Sequence, residues 1–213
     1  MYHVLNRSVG RRTIFGTDGD YRAFEKVLTE AQKRTPMPLL AYSLMPNHWH
    51  FVVRPVGDGD LSRFMAWLTT THTSRWHKSH NTVGSGHLYQ GRFKSFPVQD
   101  DAYFITVCRY VEGNPLRAGL VRQAQDWPYG SLWHLIHPPG DHEGQLPQLS
   151  AWPLPRPADW AGFVNTPLNA LETETLNRCA RRGCPFGDSD WVDRIAATLG
   201  LQRTLRPVGR PRK

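Results

Sequence analysis

In the first 122 residues the apolar positions switch between a spacing of two and a spacing near 3.6, and the order of those switches admits few folds. Tyr2 to Val9 alternates as a strand does and then turns at Gly10-Arg11-Arg12. Residues 20–34 put Tyr21, Phe24, Val27, Leu28 and Ala31 on one helical stripe, with Asp18 or Asp20 to cap it and Pro36 beyond its end. Residues 38–54 read as two strands joined by a turn at Pro46-Asn47. A second helix over about 60–77 carries Leu61, Phe64, Met65, Leu68 and Trp76. Gly84-Ser85-Gly86 then opens a fourth strand-like run from His87 to Val98. A third helix starts at Asp100-Asp101 and stops near Asn114, because Pro115 disfavours helical geometry in the residue before it.

Strand, helix, strand, strand, helix, strand is the split βαβ order. It predicts an α+β domain, a ferredoxin-like antiparallel sheet with helices on one face. Past residue 122 the texture changes, and prolines crowd residues 137–157. The expected organisation is a domain over 1–136, a Pro-rich linker over 137–165, and a helical C-terminal extension with a basic tail over 166–213. The helical signals of the extension are Leu168, Leu171 and Leu176, then Trp191, Ile195, Ala196 and Leu199.

Charge is distributed unevenly. Residues 1–122 hold 16 Lys/Arg against 9 Asp/Glu, residues 123–199 hold 5 against 9, and residues 200–213 hold 5 against none. A basic core and a basic end suit a polyanionic partner. No run is apolar enough to cross a bilayer, the start does not read as a secretory leader, and Cys108, Cys179 and Cys184 are too few for a disulfide framework. These features predict a reduced, cytoplasmic protein.

Two short patterns carry chemistry. His48-Trp49-His50 lies in a strand, so the two imidazoles share a face and can serve one metal ion; the plain alternative is a pair of surface rings flanking a core tryptophan. On the third helix Phe104, Val107, Cys108 and Val111 form the core stripe. Tyr110 sits roughly 110° and Asn114 roughly 70° from its centre, one turn apart on the flank that Tyr103 also occupies. A tyrosine beside the core, rather than in it, can reach a neighbouring sheet.

Met45-Pro46-Asn47-His48-Trp49-His50-Phe51-Val52, followed by Arg109-Tyr110-Val111-Glu112-Gly113-Asn114-Pro115-Leu116-Arg117-Ala118-Gly119-Leu120-Val121, resembles the single-tyrosine HUH transposases. Within them the chain is most similar to the REP-associated tyrosine transposases. Tyr2-His3-Val4, Gly91-Arg92-Phe93-Lys94, Trp127-Pro128-Tyr129-Gly130-Ser131 and the closing Thr204 to Lys213 extend the resemblance over nearly the whole chain. It implies the HUH nuclease fold, metal ligands at His48, His50 and Asn114, and a nucleophile at Tyr110. The implied reaction is attack on single-stranded DNA beside a palindromic hairpin, leaving a 5′-phosphotyrosine and a free 3′-hydroxyl. Phenols in general are ionised to only about one part in a thousand at pH 7, so the implied divalent ion, Mg²⁺ or Mn²⁺, matters as a Lewis acid. The resemblance to the REP-associated members implies a monomer, in contrast to the helix-swapped dimers of relatives of the mobile-element type.

Arg7, Arg92, Lys94 and Arg117 are the expected DNA contacts in the domain, with Arg210 in a tail that resembles a minor-groove hook. Two rival readings stay open: a palindrome-binding protein that no longer cuts, and a metal-dependent nuclease in which water attacks. His134, His137 and His142 lie in the Pro-rich stretch with no metal-site pattern, and Cys179-x4-Cys184 lacks a second pair for zinc.

Overall fold

The computed structural model describes residues 1–137 and 146–206. Its centre is a four-stranded antiparallel sheet of β1 (Tyr2–Arg7), β2 (Leu39–Met45), β3 (His48–Val53) and β4 (Lys94–Pro97), in the order β2-β3-β1-β4. The crossover helices are α1 (Asp18–Arg34) and α2 (Asp60–Ser79), both packed on one face as the split βαβ order requires. Val4, Tyr42, Leu44, Trp49, Phe51 and Val53 point from the strands into that face, and Phe24, Leu28, Phe64 and Leu68 meet them from the helices. Among the described residues no helix is long and apolar enough to cross a membrane.

The opposite face is covered as well. There α3 (Ala102–Glu112) lays Phe104, Val107, Cys108 and Val111 over Leu40, Val52 and Phe96, matching the apolar stripe expected of it. Next come α4 (Asn114–Arg117), α5 (Ser131–Ile136), α6 (Trp160–Asn165), α7 (Ala170–Arg182), α8 (Ser189–Thr198) and α9 (Gln202–Leu205). The 137–165 stretch, expected to be a linker, is partly integral in its described portion. It contains α6, Leu149 bridges to Leu39, and Trp152 and Trp160 pack on the α3 face. Prolines interrupted regular structure without preventing burial of those indoles.

Two buried groups bolt α3 to this added layer. Glu112 accepts hydrogen bonds from the Ser131 hydroxyl and the Trp160 indole N–H. Arg109 donates to the carbonyls of Thr166 and Pro167, and its guanidinium lies 4.3 Å from the Phe163 ring centre. Burial pushes the Glu112 carboxyl up to about 6, against the downward pull of its two donors.

Three local expectations change. Thr17, not Asp18 or Asp20, caps α1, in a reciprocal box with Asp20. The fourth strand is short: residues 87–93 are irregular except for a bridge from Tyr89 to Ser8, so Arg92 lies in a loop. Finally α3 ends at Glu112, and Asn114 begins a separate short helix with Pro115 in its first turn, where a missing N–H costs nothing.

Candidate active site

The register of the sheet places the imidazoles. On β3, His48 pairs with Arg7 of β1 and His50 with Leu5, and both histidines point to the α3 side. Strand alternation sends Trp49 the other way, into the core beneath α1 and α2. His48 is half-buried and His50 is buried.

Neighbouring side chains decide which ring nitrogens face the site. Asn47 donates through Nδ2 to the Arg11 carbonyl at 3.0 Å, which turns its Oδ1 to His48 Nδ1 at 2.6 Å. His48 therefore carries its proton on Nδ1 and keeps a lone pair on Nε2. His50 Nδ1 sits 2.9 Å from His3 Nε2, with the two rings stacked 5.1 Å apart at 7°. Burial holds His48 down at about 4, helped by Arg7. Burial, then His3, His48, Arg117 and Arg7, holds His50 well below the ordinary imidazole range. Both rings are neutral at pH 7.

Tyr110 stands over this pair from α3, its ring edge-on to His50 with centres 5.9 Å apart and planes at 87°. Its hydroxyl is 3.5 Å from Asn177 Oδ1 of α7. Arg117 reaches back from α4, donating to the Tyr110 carbonyl and placing its guanidinium carbon 4.3 Å from the ring centre. Asn114 is half-buried, and its Nδ2 is one of the buried polar atoms with no hydrogen-bond partner. Gly113 joins α3 to α4, and it does so tightly: a Cβ there would lie 2.9 Å from the Arg109 carbonyl oxygen and 3.0 Å from an Arg117 nitrogen.

His48, His50, Tyr110 and Asn114 line one cleft of about 660 Å³ together with Arg7, Arg92, Lys94 and Arg117. Every site residue expected within the domain thus converges, although Asn114 does so from α4 rather than from the helix of Tyr110. Arg210 lies outside the described residues. Tyr103 is elsewhere, its ring edge-on to Phe186 at 5.1 Å.

Two contributors have no local signature. His3 is one histidine in an apolar strand, and only strand pairing brings it against His50. Asn177, Ala180 and Arg181 of α7 wall the cleft from the C-terminal extension, far away in sequence.

Whether a metal fits can be judged from the donors. Among the described residues no three His, Cys, Asp or Glu side chains are grouped to hold an ion, so a third protein donor beside the two imidazoles would be of another kind, such as an amide. Asn114 has the right chemistry, since its unpartnered amide end can present nitrogen or oxygen by a flip. Two neutral imidazoles and an amide oxygen suit a divalent ion and leave its charge for an anionic ligand.

The chain belongs to the IS200-like transposase family, whose model (Transposase IS200 like) matches residues 1–114. The REP-associated tyrosine transposase of Escherichia coli strain K12 is 24% identical over 149 residues, 68% of this chain and 74% of that one. A Haemophilus influenzae relative, bearing a provisional form of the same name, is 24% identical over 117 residues; the match takes in 51% of this chain and 66% of that protein. The fold is shared with a solved REP-associated tyrosine transposase bound to a REP hairpin, at a TM-score of 0.51 and 19% identity over 66% of this chain and 84% of the other.

Proposed function

We propose that the protein cleaves and rejoins single-stranded DNA beside palindromic hairpins, using Tyr110 as nucleophile and a divalent ion, Mg²⁺ or Mn²⁺, held by His48, His50 and Asn114. One observation carries this reading: those four side chains meet in a single cleft rimmed by Arg7, Arg92, Lys94 and Arg117. Family membership and the hairpin-bound relative favour hairpin DNA as the substrate class.

The arginines and Lys94 take up the phosphates of the strand and seat the scissile one between the imidazole pair and the phenol. Asn177 holds the Tyr110 hydroxyl, and Arg117 fixes the ring that carries it. The Tyr110 oxygen attacks phosphorus and the bond to the 3′-oxygen breaks. The phenolic proton is released, and the departing oxygen takes one up from solvent. A 5′-phosphotyrosine and a free 3′-hydroxyl result, and because the phosphoester is exchanged rather than hydrolysed, rejoining needs no nucleotide cofactor. When bound, the ion supplies Lewis-acid polarisation of a phosphoryl oxygen. On this reading the protein is cytoplasmic, and it acts as a monomer whose α3 is tied to residues 160–167 of its own chain by the buried Glu112 and Arg109 contacts.

The test is a denaturing gel after incubation with a labelled hairpin carrying single-stranded flanks and Mn²⁺. Wild type forms a protein–DNA adduct, and Tyr110→Phe keeps hairpin binding while losing that adduct. An undiminished adduct in Tyr110→Phe refutes the assignment of the nucleophile. Cut DNA with no adduct in wild type replaces it with water-attack hydrolysis, and binding without cutting replaces it with a non-cleaving hairpin binder.

A further inference from the structure

Beside the cleft lies a second depression, of about 840 Å³, built almost wholly from the C-terminal extension and so beyond the residues that match the family model. Arg178, Arg181, Arg182 and Arg206 line it, with the rings of Tyr103 and Phe186. Arg181 lines both hollows. The geometry of α7 explains this sharing. At 100° per residue, Asn177 and Ala180 face the cleft while Arg178 and Arg182 face the groove, and Arg181 falls between. The core side of the same helix is taken by Leu176 and Cys179. On α3, Tyr103 and Tyr110 are two turns apart, so the groove begins about 10 Å from the phenol.

The charge in the groove is uncommitted. Among the described residues Arg178, Arg181 and Arg206 form no ion pair. Glu172, the acid in the lining, is engaged in the capping box of α7. Arg182 is the structural member: its Nε donates to the Thr204 carbonyl at 2.7 Å, holding α9 against α7 so that Arg206 comes to the rim. Phe186 is buried and backs the half-buried Tyr103 ring, so the groove offers exposed guanidinium groups with one partly open aromatic ring. That combination suits a flexible polyanion with flat apolar faces, as single-stranded nucleic acid is.

We propose that this groove is a second phosphodiester site, which receives the single-stranded DNA flanking the scissile phosphate and leads it away from Tyr110 across Arg181. This inference rests on the single-stranded DNA reading of the cleft and extends it to a path and a set of residues. It makes affinity depend on flank length, which binding of a hairpin in the cleft alone does not.

The experiment measures binding to a hairpin with 5′ or 3′ single-stranded flanks of increasing length, at several salt concentrations. For wild type, lengthening the flank on one side should raise affinity about tenfold, from phosphate contacts and one base stacked on Tyr103. In Arg178→Glu/Arg206→Glu that gain should vanish, while affinity for the flankless hairpin is unchanged. Losing two phosphate contacts should flatten the log–log salt slope by about 1.4, at about 0.7 per contact on a single strand. Arg178→Lys/Arg206→Lys keeps the charge and should keep most of the gain, separating lost charge from a misfolded extension. Hairpin binding by wild type with no flank gain on either side, or a gain that survives the glutamate pair, overturns the groove alone. Failure of wild type to bind the hairpin overturns the groove and the DNA reading together.

Discussion

Along β3, Trp49, Phe51 and Val53 turn toward α1 and α2, while His48, His50 and Val52 turn toward α3. Buried polar groups occur on both sides of the sheet, but they are completed differently. Under α1 and α2 the central chain is closed, the Trp49 indole donating to the Tyr89 hydroxyl, which lies 2.7 Å from His72 Nδ1. The unpartnered atom there is His77 Nε2, in the last turn of α2. On the α3 side, Arg7 Nε, Asn114 Nδ2 and His3 Nδ1 have no partner among the described residues. Satisfied polar groups in a dry core define one packing, whereas unsatisfied ones are costly unless a ligand completes them. On this one strand of period two the odd positions pack the α1 and α2 face, while the even ones divide between the α3-side core at Val52 and the cleft at His48 and His50.

The contrast is sharpest if the two sides are broken separately. Trp49→Ala should cost about 3–5 kcal/mol in urea unfolding, since it removes the largest fully buried side chain of the first face. His48→Ala, one residue away and half-buried, should leave the urea midpoint nearly unchanged and abolish adduct formation. Equal destabilisation by the two would erase the distinction.

Acid and base should also divide the faces. His72 is held down at about 3 by burial, below its ordinary 6.5, so its contribution is complete above pH 6.5 and is lost as pH falls toward 3. Glu112, raised to about 6 from 4.5, behaves oppositely: its contribution is complete below pH 4.5 and is lost as pH rises through 6. In a urea series over that range, His72→Gln should blunt the acid loss, by an amount of order a few kcal/mol at most. Glu112→Gln should remove the decline between 4.5 and 6. A wild-type profile that neither change alters would contradict both assignments.

A subtler change targets the support of the site. If His50 presents Nε2 to an ion, its Nδ1–H must donate to His3, so His3→Ala should raise the Mn²⁺ concentration needed for half-maximal adduct formation about 10–100-fold, with yield recovered at high Mn²⁺. An unchanged Mn²⁺ titration would reduce His3 to packing. The smallest effect belongs to Arg75, whose exposed forked pair with Glu30 joins α1 to α2; Arg75→Ala should cost less than about 1 kcal/mol by urea titration.

What could be read from sequence was local. The changes of apolar period locate the sheet and its two crossover helices, and His-x-His with a flanking tyrosine marks the candidate site, because strand and helix geometry project side chains predictably. Features that depend on tertiary pairing were not legible. His3 looks like any strand histidine until the register sets it opposite Val52, diagonal to His50 on the same face. The glycines around residues 84–91 blurred where β4 begins, and the prolines after 137 hid an indole-rich layer. The wall formed by α7 involves residues some 67 positions from Tyr110 and has no signature in either segment. Asn114 reached the cleft for a reason that continuous helical geometry did not supply, since the chain breaks at Gly113 and restarts.

That break sets a tolerance. With no room for a methyl group at Gly113, the interval between the phenol-bearing helix and the amide that follows it is gauged by a single hydrogen atom. Even alanine would wedge the joint open and carry the two groups out of step while leaving both in the chain. A catalogue of intact candidate side chains would miss such a variant, because the defect would lie in the hinge pin and not in the tools.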